Sequence, residues 1–524
     1  MRKEILLGLT ASALVLSACS DVTWHIGPSA EPVPEHLKRD GTKKPKKDKT
    51  EEAEDVGDLS DLEDAVEDLE EPEAKPVQTA LTDPTPAVTE ADLAITGGRI
   101  LTMAGSIIEG GTILIDDGKI VAVGRDIEIP KGAERLKAKG LTVMPGLADM
   151  HVHHYSENEG PLFIANGVTT VRNLWGTNQT ISLDRGAEDG DYIGPRIFSP
   201  GPLTDGPDPI WGEGSLSVLN PDEMRGAVRA QKASGYEAVK LYETLSAESY
   251  RAGVAEAKAQ EMQVYTHVPG SLTLEDVVAL QVDSIEHLDG VNVSLLPDGF
   301  DLEANKGRLF RWGAADDAKM APLAQSFAEN GVTSSATLAV VLGRYRYMLD
   351  ADGYFASEQG KYVPKGIKSW WSDSASRALP SLSQSLVSEA RQKQLRFIKA
   401  LYDADAGLLI GTDTPNPFVV QGFSIHDELQ AFADAGIPRA EVLKIATAGA
   451  ADFLGKDDTF GRVKPGTRAD LIIVKGDPTK DLSILKEPDY VIAGGMVYGR
   501  KDIERMLKEA RDRVAASYSE SSGG

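Results

Sequence analysis

Six side chains in this sequence have the types and the spacing to bind metal and move protons. His151 and His153 close the apolar stretch Pro145-Gly146-Leu147-Ala148-Asp149-Met150-His151-Val152-His153. Side chains alternate faces along a strand, so residues i and i+2 point the same way. Two neutral imidazoles aimed at one point are half of a site for a divalent ion. Lys240 lies in Ala238-Val239-Lys240-Leu241-Tyr242, and His267 ends Val264-Tyr265-Thr266-His267. His287 ends Ser284-Ile285-Glu286-His287, and Asp413 ends Leu409-Ile410-Gly411-Thr412-Asp413. Each is a polar group at the end of an apolar run, where packing explains it least.

Those runs are the elements that must position the chemistry. Candidate strands are 147–153, 169–174, 196–199, 238–242, 263–267, 284–288, 333–338 and 407–413. Helices with readable ends lie between several of them. Pro221 opens one that closes near Gly235, and Thr273-Leu274-Glu275-Asp276 reads as a capping box. Roughly eight strand–helix units predict an α/β, TIM-type (β/α)8 barrel, which places chemistry at the C-terminal ends of its strands. The barrel is expected over 147–455, with a lid insertion at about 296–396 that carries Arg344, Tyr345, Arg346, Tyr347, Trp370 and Trp371. Both flanks read as β structure. Residues 94–101 read as strand, turn and strand, 112–124 as a hairpin on Asp117-Gly118, and 490–498 as a hairpin on Gly494-Gly495. Segments 93–146 and 456–505 are therefore expected to build one β-sandwich domain, followed by a C-terminal helix or tail over 506–524.

The ordered set of strand-end residues resembles the amidohydrolase superfamily, in its imidazolonepropionase-like and prolidase-like branch. Gly167-Val168-Thr169-Thr170-Val171-Arg172-Asn173, Gly411-Thr412-Asp413-Thr414 and Gly466-Thr467-Arg468-Ala469-Asp470-Leu471 add to the resemblance, which runs from about 93 to 505. It implies two divalent ions, zinc by N/O ligation, with manganese, iron or cobalt as alternatives. His151, His153 and Asp413 would hold one ion and His267 and His287 the other, with carbamylated Lys240 between them. It further implies a metal-bridging hydroxide as nucleophile and Asp413 as the catalytic proton carrier. A carbamate is anionic and bidentate, whereas an ammonium would repel both ions. The alternative at Lys240 is a plain salt-bridging lysine beside a single metal.

The activity this implies is hydrolysis of an amide or cyclic amide C–N bond, in a small peptide or N-acyl amino acid. Lactone or ester hydrolysis and mononuclear, imidazolonepropionase-like ring opening are the alternatives within enzymes. A catalytically inactive surface-binding lipoprotein is the alternative of another class. Three features depart from the dipeptidase pattern: Asn173 after Arg172, a short connection from Lys240 to His267, and Val268-Pro269 after His267. Tyr242 shares the inward face with Lys240 and is a candidate substrate contact. Arg172 is a candidate for a substrate carboxylate, or else a partner to an acid such as Asp149. His154 and His426 read as structural.

The N-terminus reads as a sorting signal. Arg2 and Lys3 precede an apolar stretch too short to span a bilayer, ending in Leu16-Ser17-Ala18-Cys19. This resembles a bacterial lipobox, which implies a signal peptide over 1–19 and lipidation at Cys19. Ser20 points to the outer membrane, facing the periplasm. Cys19 is the sole cysteine, which excludes intramolecular disulfides and thiolate metal cages. Residues 20–92 are charged and proline-rich and read as a disordered tether. A net charge of −26 excludes phosphate-backbone binding as a main role, so no nucleic-acid partner is expected. The partners expected are a small-molecule or dipeptide-like substrate, the membrane through its anchor, and a second copy of the chain.

Overall fold

The computed structural model describes residues 88–302 and 307–519. The leader, Cys19, the tether as far as residue 87 and residues 520–524 lie outside the described residues. Among the described residues no helix is long and apolar enough to cross a membrane.

The flanking segments meet in one sheet. The N-terminal part supplies β1 (Leu93–Leu101), β2 (Ile107–Asp116), β3 (Lys119–Gly124), β4 (Glu134–Lys137) and β5 (Leu141–Pro145). The chain leaves this sheet until Leu471. Strands β6 (Leu147–Val152), β7 (Val168–Asn173) and β8 (Arg196–Phe198) form a three-stranded parallel sheet. They are followed by β9 (Thr204–Asp205), β10 (Leu216–Ser217), β11 (Ala238–Leu241), β12 (Gln263–Thr266), β13 (Ser284–Glu286), β14 (Thr333–Ser335) and β15 (Gly407–Leu409). These seven pair in the order β10-β9-β11-β12-β13-β14-β15, all in parallel. The chain then returns to the first sheet with β16 (Leu471–Lys475), β17 (Tyr490–Ala493) and β18 (Met496–Gly499). The order there is β18-β17-β16-β5-β1-β2-β3, with β4 also on β1.

The turn expected inside 94–101 is a bulge in one strand. Gly97 takes φ +76°, which only glycine adopts without strain, and β1 changes partner there. Before the bulge it pairs with β4, and after it with β5. The Asp117-Gly118 and Gly494-Gly495 hairpin turns form as expected, all four residues at positive φ. The two turns touch, Gly118 lying against Gly494 and Gly495, and the segment before β16 adds to the contact: Ala469 N–H donates to the Gly118 carbonyl and Ile120 N–H to that of Thr467. Isoleucine and leucine side chains from both ends of the chain, such as Ile95, Ile113, Leu471 and Ile492, share one buried cluster.

Two seams join the parallel sheets. On one, Met150 N–H donates to Ile410 O (2.8 Å), Asp413 N–H to His151 O (2.7 Å) and His153 N–H to Thr414 O (2.7 Å). On the other, Gly201 N–H donates to Ala238 O (3.0 Å). Helices cover the strands where the caps predict them. Asn220 caps Pro221–Ala233, and Thr273 with Asp276 makes the capping box of Leu274–Ala279.

The aromatic residues expected to form a lid are mostly internal. Trp371 is buried and donates its indole N–H to Pro415 O (3.0 Å), and Tyr347 stacks on Phe418 (4.2 Å). Their apolar surface is spent on bracing the loop that follows Asp413. The C-terminal helix spans Arg500–Ser519, starting earlier than the expected 506, because Asp502 accepts the Gly499 N–H and caps it there. Its Ile503 and Met506 pack on Ile164 and Val491.

Candidate functional site

The site is built where strand ends converge. Asp149 and His151 alternate along β6 with Ala148 and Met150, which face a separate apolar cluster containing Leu409 and Phe460. His151 is fully buried, and its Nδ1 lies 2.7 Å from Glu286 Oε2. Glu286 is ionised. Burial would raise its carboxyl, but Arg172, then Lys240 and His151, hold it well below the usual carboxylate range. It therefore accepts from Nδ1–H of His151 and leaves Nε2 as the free lone pair. Burial lowers the His151 pKa to about 4, so the ring is neutral at pH 7, the form that binds metal.

His151 Nε2 has no hydrogen-bond partner among the described residues and points to Asp413 Oδ1, 3.4 Å away. His153 Nε2 lies 3.1 Å from the same oxygen. These three residues form a group whose donor atoms lie within 4.8 Å of one another. His287 reaches the other oxygen: its Nδ1 is 3.4 Å from Asp413 Oδ2 and 2.9 Å from Thr337 Oγ1. Asp413 is buried, yet His287, His151 and His153 around it keep its carboxyl low.

Strand alternation alone would not deliver this geometry. Glu286 and His287 are neighbours, so a regular strand would send them to opposite faces. His287 has φ +61° and Asp413 φ +63°, left-handed values that are strained for residues with a side chain. The strain re-aims both side chains toward the same point.

The rings of His267 and His287 are 4.8 Å apart. His267 Nδ1 is bonded to Glu243 Oε1 (2.8 Å), and Asp289 completes a second group of donor atoms within 4.8 Å. Lys240 is buried on β11 and its Nζ has no partner among the described residues. Burial, reinforced by Arg172, pulls its pKa down to about 8, which favours the neutral amine that a carbamate requires. The residues thus suit divalent ions. Imidazoles converge on an ionised carboxylate, and three nitrogen atoms of the set, His151 Nε2, His153 Nδ1 and Lys240 Nζ, are buried without a hydrogen-bond partner among the described residues.

Arg172 is not at hand for a substrate carboxylate. It is fully buried, with Nε donating to Met150 O (2.6 Å), Nη1 to Ser284 Oγ (3.0 Å) and Nη2 to Glu286 (3.0 Å). Its acid is Glu286, not Asp149. Asp149 accepts instead from Thr412 and from His151 N–H, and burial raises it to about 7. Tyr242 does sit at the mouth: its ring is 4.1 Å from that of His267, and its hydroxyl accepts from Trp211 Nε1 (3.0 Å). His154 is buried on Phe163 and bonded to Glu159 (2.9 Å). His426 is buried with neither ring nitrogen partnered among the described residues.

Several residues of the site are missed by sequence reading. Glu286 stands in the quoted stretch, and its spacing from Ser284 signals a shared inward face. Glu243 and Thr337 lie just beyond strand ends and carry no spacing signal. An aromatic wall rises beside His153: Tyr155 stacks on it at 6.3 Å, Trp175 lies 6.1 Å away, and Trp211 packs on Trp175 at 5.5 Å. Trp211 keeps 43 % of its surface exposed, and the neighbouring Ile210 54 %. Exposed apolar surface beside a polar cleft is typical of ligand contact.

Known proteins share this plan. The profile of the amidohydrolase family matches residues 142–501. Ochratoxinase of Aspergillus niger is 23 % identical over 511 residues, covering 84 % of this chain and 92 % of its own. Among solved structures, a bottromycin amidohydrolase superposes with TM-score 0.65 at 24 % identity, covering 80 % of this chain and 90 % of its own. A putative prolidase from Bifidobacterium longum superposes with TM-score 0.56 at 24 % identity, covering 80 % and 98 %. With the family profile spanning most of its length, this chain belongs to the amidohydrolase family.

Proposed function

We propose that this protein is a metal-dependent hydrolase that cleaves the C–N bond of a small peptide or N-acyl amino acid, in the mouth of a closed (β/α)8 barrel. The hydrogen bonds on both seams between the parallel sheets support the barrel. The observation that carries the activity is the convergence of His151, His153 and His287 on the ionised Asp413, with His151 Nε2 buried and unpartnered among the described residues. The similarity to ochratoxinase and to a prolidase supports amide substrates.

His151, His153 and Asp413 would hold one divalent ion, and His267 and His287 the second, with carbamylated Lys240 shared between them. Bound ions would supply an acidified water and polarise the scissile carbonyl. The chain's own residues do the rest. Glu286 and Glu243 fix the tautomers of His151 and His267 by accepting their Nδ1–H. Asp413 takes the proton of the attacking water and hands it to the amide nitrogen as the C–N bond breaks. The hydroxyl of Tyr242, held by Trp211, is placed to donate to the substrate.

Metal analysis tests the reading, together with initial rates on dipeptides, N-acyl amino acids and lactones. The expected result is two ions per chain, amide hydrolysis that chelation abolishes, and loss of bound metal in Lys240→Ala. One ion per chain, unchanged in Lys240→Ala, rejects the paired site; hydrolysis of lactones alone rejects the amide reading. We further propose the Cys19 lipid anchor in the outer membrane. Cys19→Ser should move the protein from the membrane fraction to the soluble one, and retention in the membrane refutes the anchor.

A further inference from the structure

Aromatic rings run along one rim of the site from one imidazole group to the other. Trp175 lies 6.1 Å from His153, and Trp211 lies 5.5 Å beyond it. Trp211 donates its indole N–H to the Tyr242 hydroxyl (3.0 Å), and the Tyr242 ring is 4.1 Å from that of His267. The rim therefore starts at His153, in the group with Asp413, and ends at His267, in the group with Asp289. The two tryptophans offer ring carbon rather than hydrogen-bonding groups. The Trp175 N–H is taken by Gly214 O (2.9 Å) and the Trp211 N–H by Tyr242. Trp211 and its neighbour Ile210 nonetheless keep 43 % and 54 % of their surfaces open. Apolar surface left open beside a polar centre suits an apolar part of the ligand, and flat ring faces pair well with another ring.

The rim is also fixed within the chain's own structure. Asp205, buried on β9, accepts from Ile210 N–H through Oδ2 (3.0 Å) and from Thr244 N–H through Oδ1 (2.7 Å). One carboxylate thereby ties the loop that carries Trp211 to the segment that follows Tyr242. Gly214 lets Trp175 lie flush on the same loop, since a Cβ there would fall 2.6 Å from Trp175 Cζ2. Rings held in place beforehand lose little freedom when a ligand packs on them.

We propose that Trp175 and Trp211 form a subsite for an aromatic ring of the substrate, carried within a few bonds of the scissile amide, and that the enzyme thereby selects aromatic over small aliphatic amides. The substrate class rests on the amide-hydrolase reading, but binding can be measured apart from turnover. The metal-loaded full chain is titrated by calorimetry with amide mimics in which a methylene group replaces the amide N–H. One pair carries phenyl or methyl on the acyl side of the bond, and a second pair carries them on the amine side.

In at least one pair the wild type is expected to bind the phenyl member about tenfold or more tightly than the methyl member. Trp211→Ala should reduce this preference to about threefold or less. Trp211→Phe, which keeps a ring but no N–H, should retain most of it. Should Trp211→Ala fail to fold, Trp175→Leu must still narrow the preference. The proposal is overturned if neither pair is discriminated, if Trp211→Ala discriminates as the wild type does, or if it weakens both members alike. It is also overturned if Trp211→Phe loses as much as Trp211→Ala, which assigns the effect to the Tyr242 hydrogen bond. Sedimentation adds one more outcome against it: a wild-type dimer that Trp211→Ala dissolves at unchanged affinities makes the rim an interface between copies. If the mimics behave as expected but no amide carrying such a ring is hydrolysed, the amide-hydrolase reading fails and the ring subsite stands.

Discussion

Glu286 holds three groups at once: the His151 ring, the Arg172 guanidinium and the Ser284 hydroxyl. Removing its charge leaves Arg172 buried without a partner and frees the His151 tautomer. Glu286→Gln is expected to cost about 3 kcal/mol of stability and to weaken metal binding about 10- to 100-fold. Thermal unfolding and metal content after dialysis measure the two effects, and a variant that loses neither would show Glu286 to be a bystander. The residue also marks how far the sequence can be read. The imidazoles and Asp413 stand out because each ends an apolar run, and the structure brings their rings and carboxylate together. Glu286 does not stand out, because an acid inside a strand announces a role only when its partners are known, and they come from β6 and β7. Arg172 misleads for the same reason: an arginine near a strand end looks available until the buried acid that holds it is seen.

At the scale of elements, the parallel strands are legible from their apolar runs, and the helix starts from their caps. The short strands β9 and β10 are not, since two residues carry no period. Nor is the partner exchange of β1, which depends on the single left-handed residue Gly97. The aromatic segment after β14 is visible by composition, but its direction is not. Only packing shows that Trp371 and Tyr347 brace the loop after Asp413. The hairpin turns give a testable element. Gly118 has φ +70°, and a Cβ there would lie 2.7 Å from Gly494 O, so the turn from one end of the chain is fitted against the turn from the other. Gly118→Ala should cost about 1–3 kcal/mol through strain and displaced backbone, while turnover by the folded enzyme stays unchanged. The denaturant midpoint and kcat separate the two, and a fall in kcat at unchanged stability would contradict this.

For the whole molecule, buried histidines make stability depend on acid. His426 is enclosed away from the site, and burial lowers its pKa to about 3 from the ordinary 6.5. Between those values the unfolded chain binds one proton more than the folded one. Stability is therefore full above pH 6.5 and falls as the pH drops toward 3, by about 2 kcal/mol at pH 5 from this group alone. His426→Leu should narrow the gap between the unfolding midpoints at pH 7 and pH 5, and an unchanged gap would mean that the ring is not buried neutral. The seam between the first and last parallel strands has a consequence for the life history of the chain. His153 and Asp413 are 260 residues apart in sequence, and the backbone bonds that join their strands need both. A ribosome delivers the first two imidazoles long before the carboxylate that faces them. The cluster can therefore close only after most of the chain has been made, once the strand that carries Asp413 has emerged.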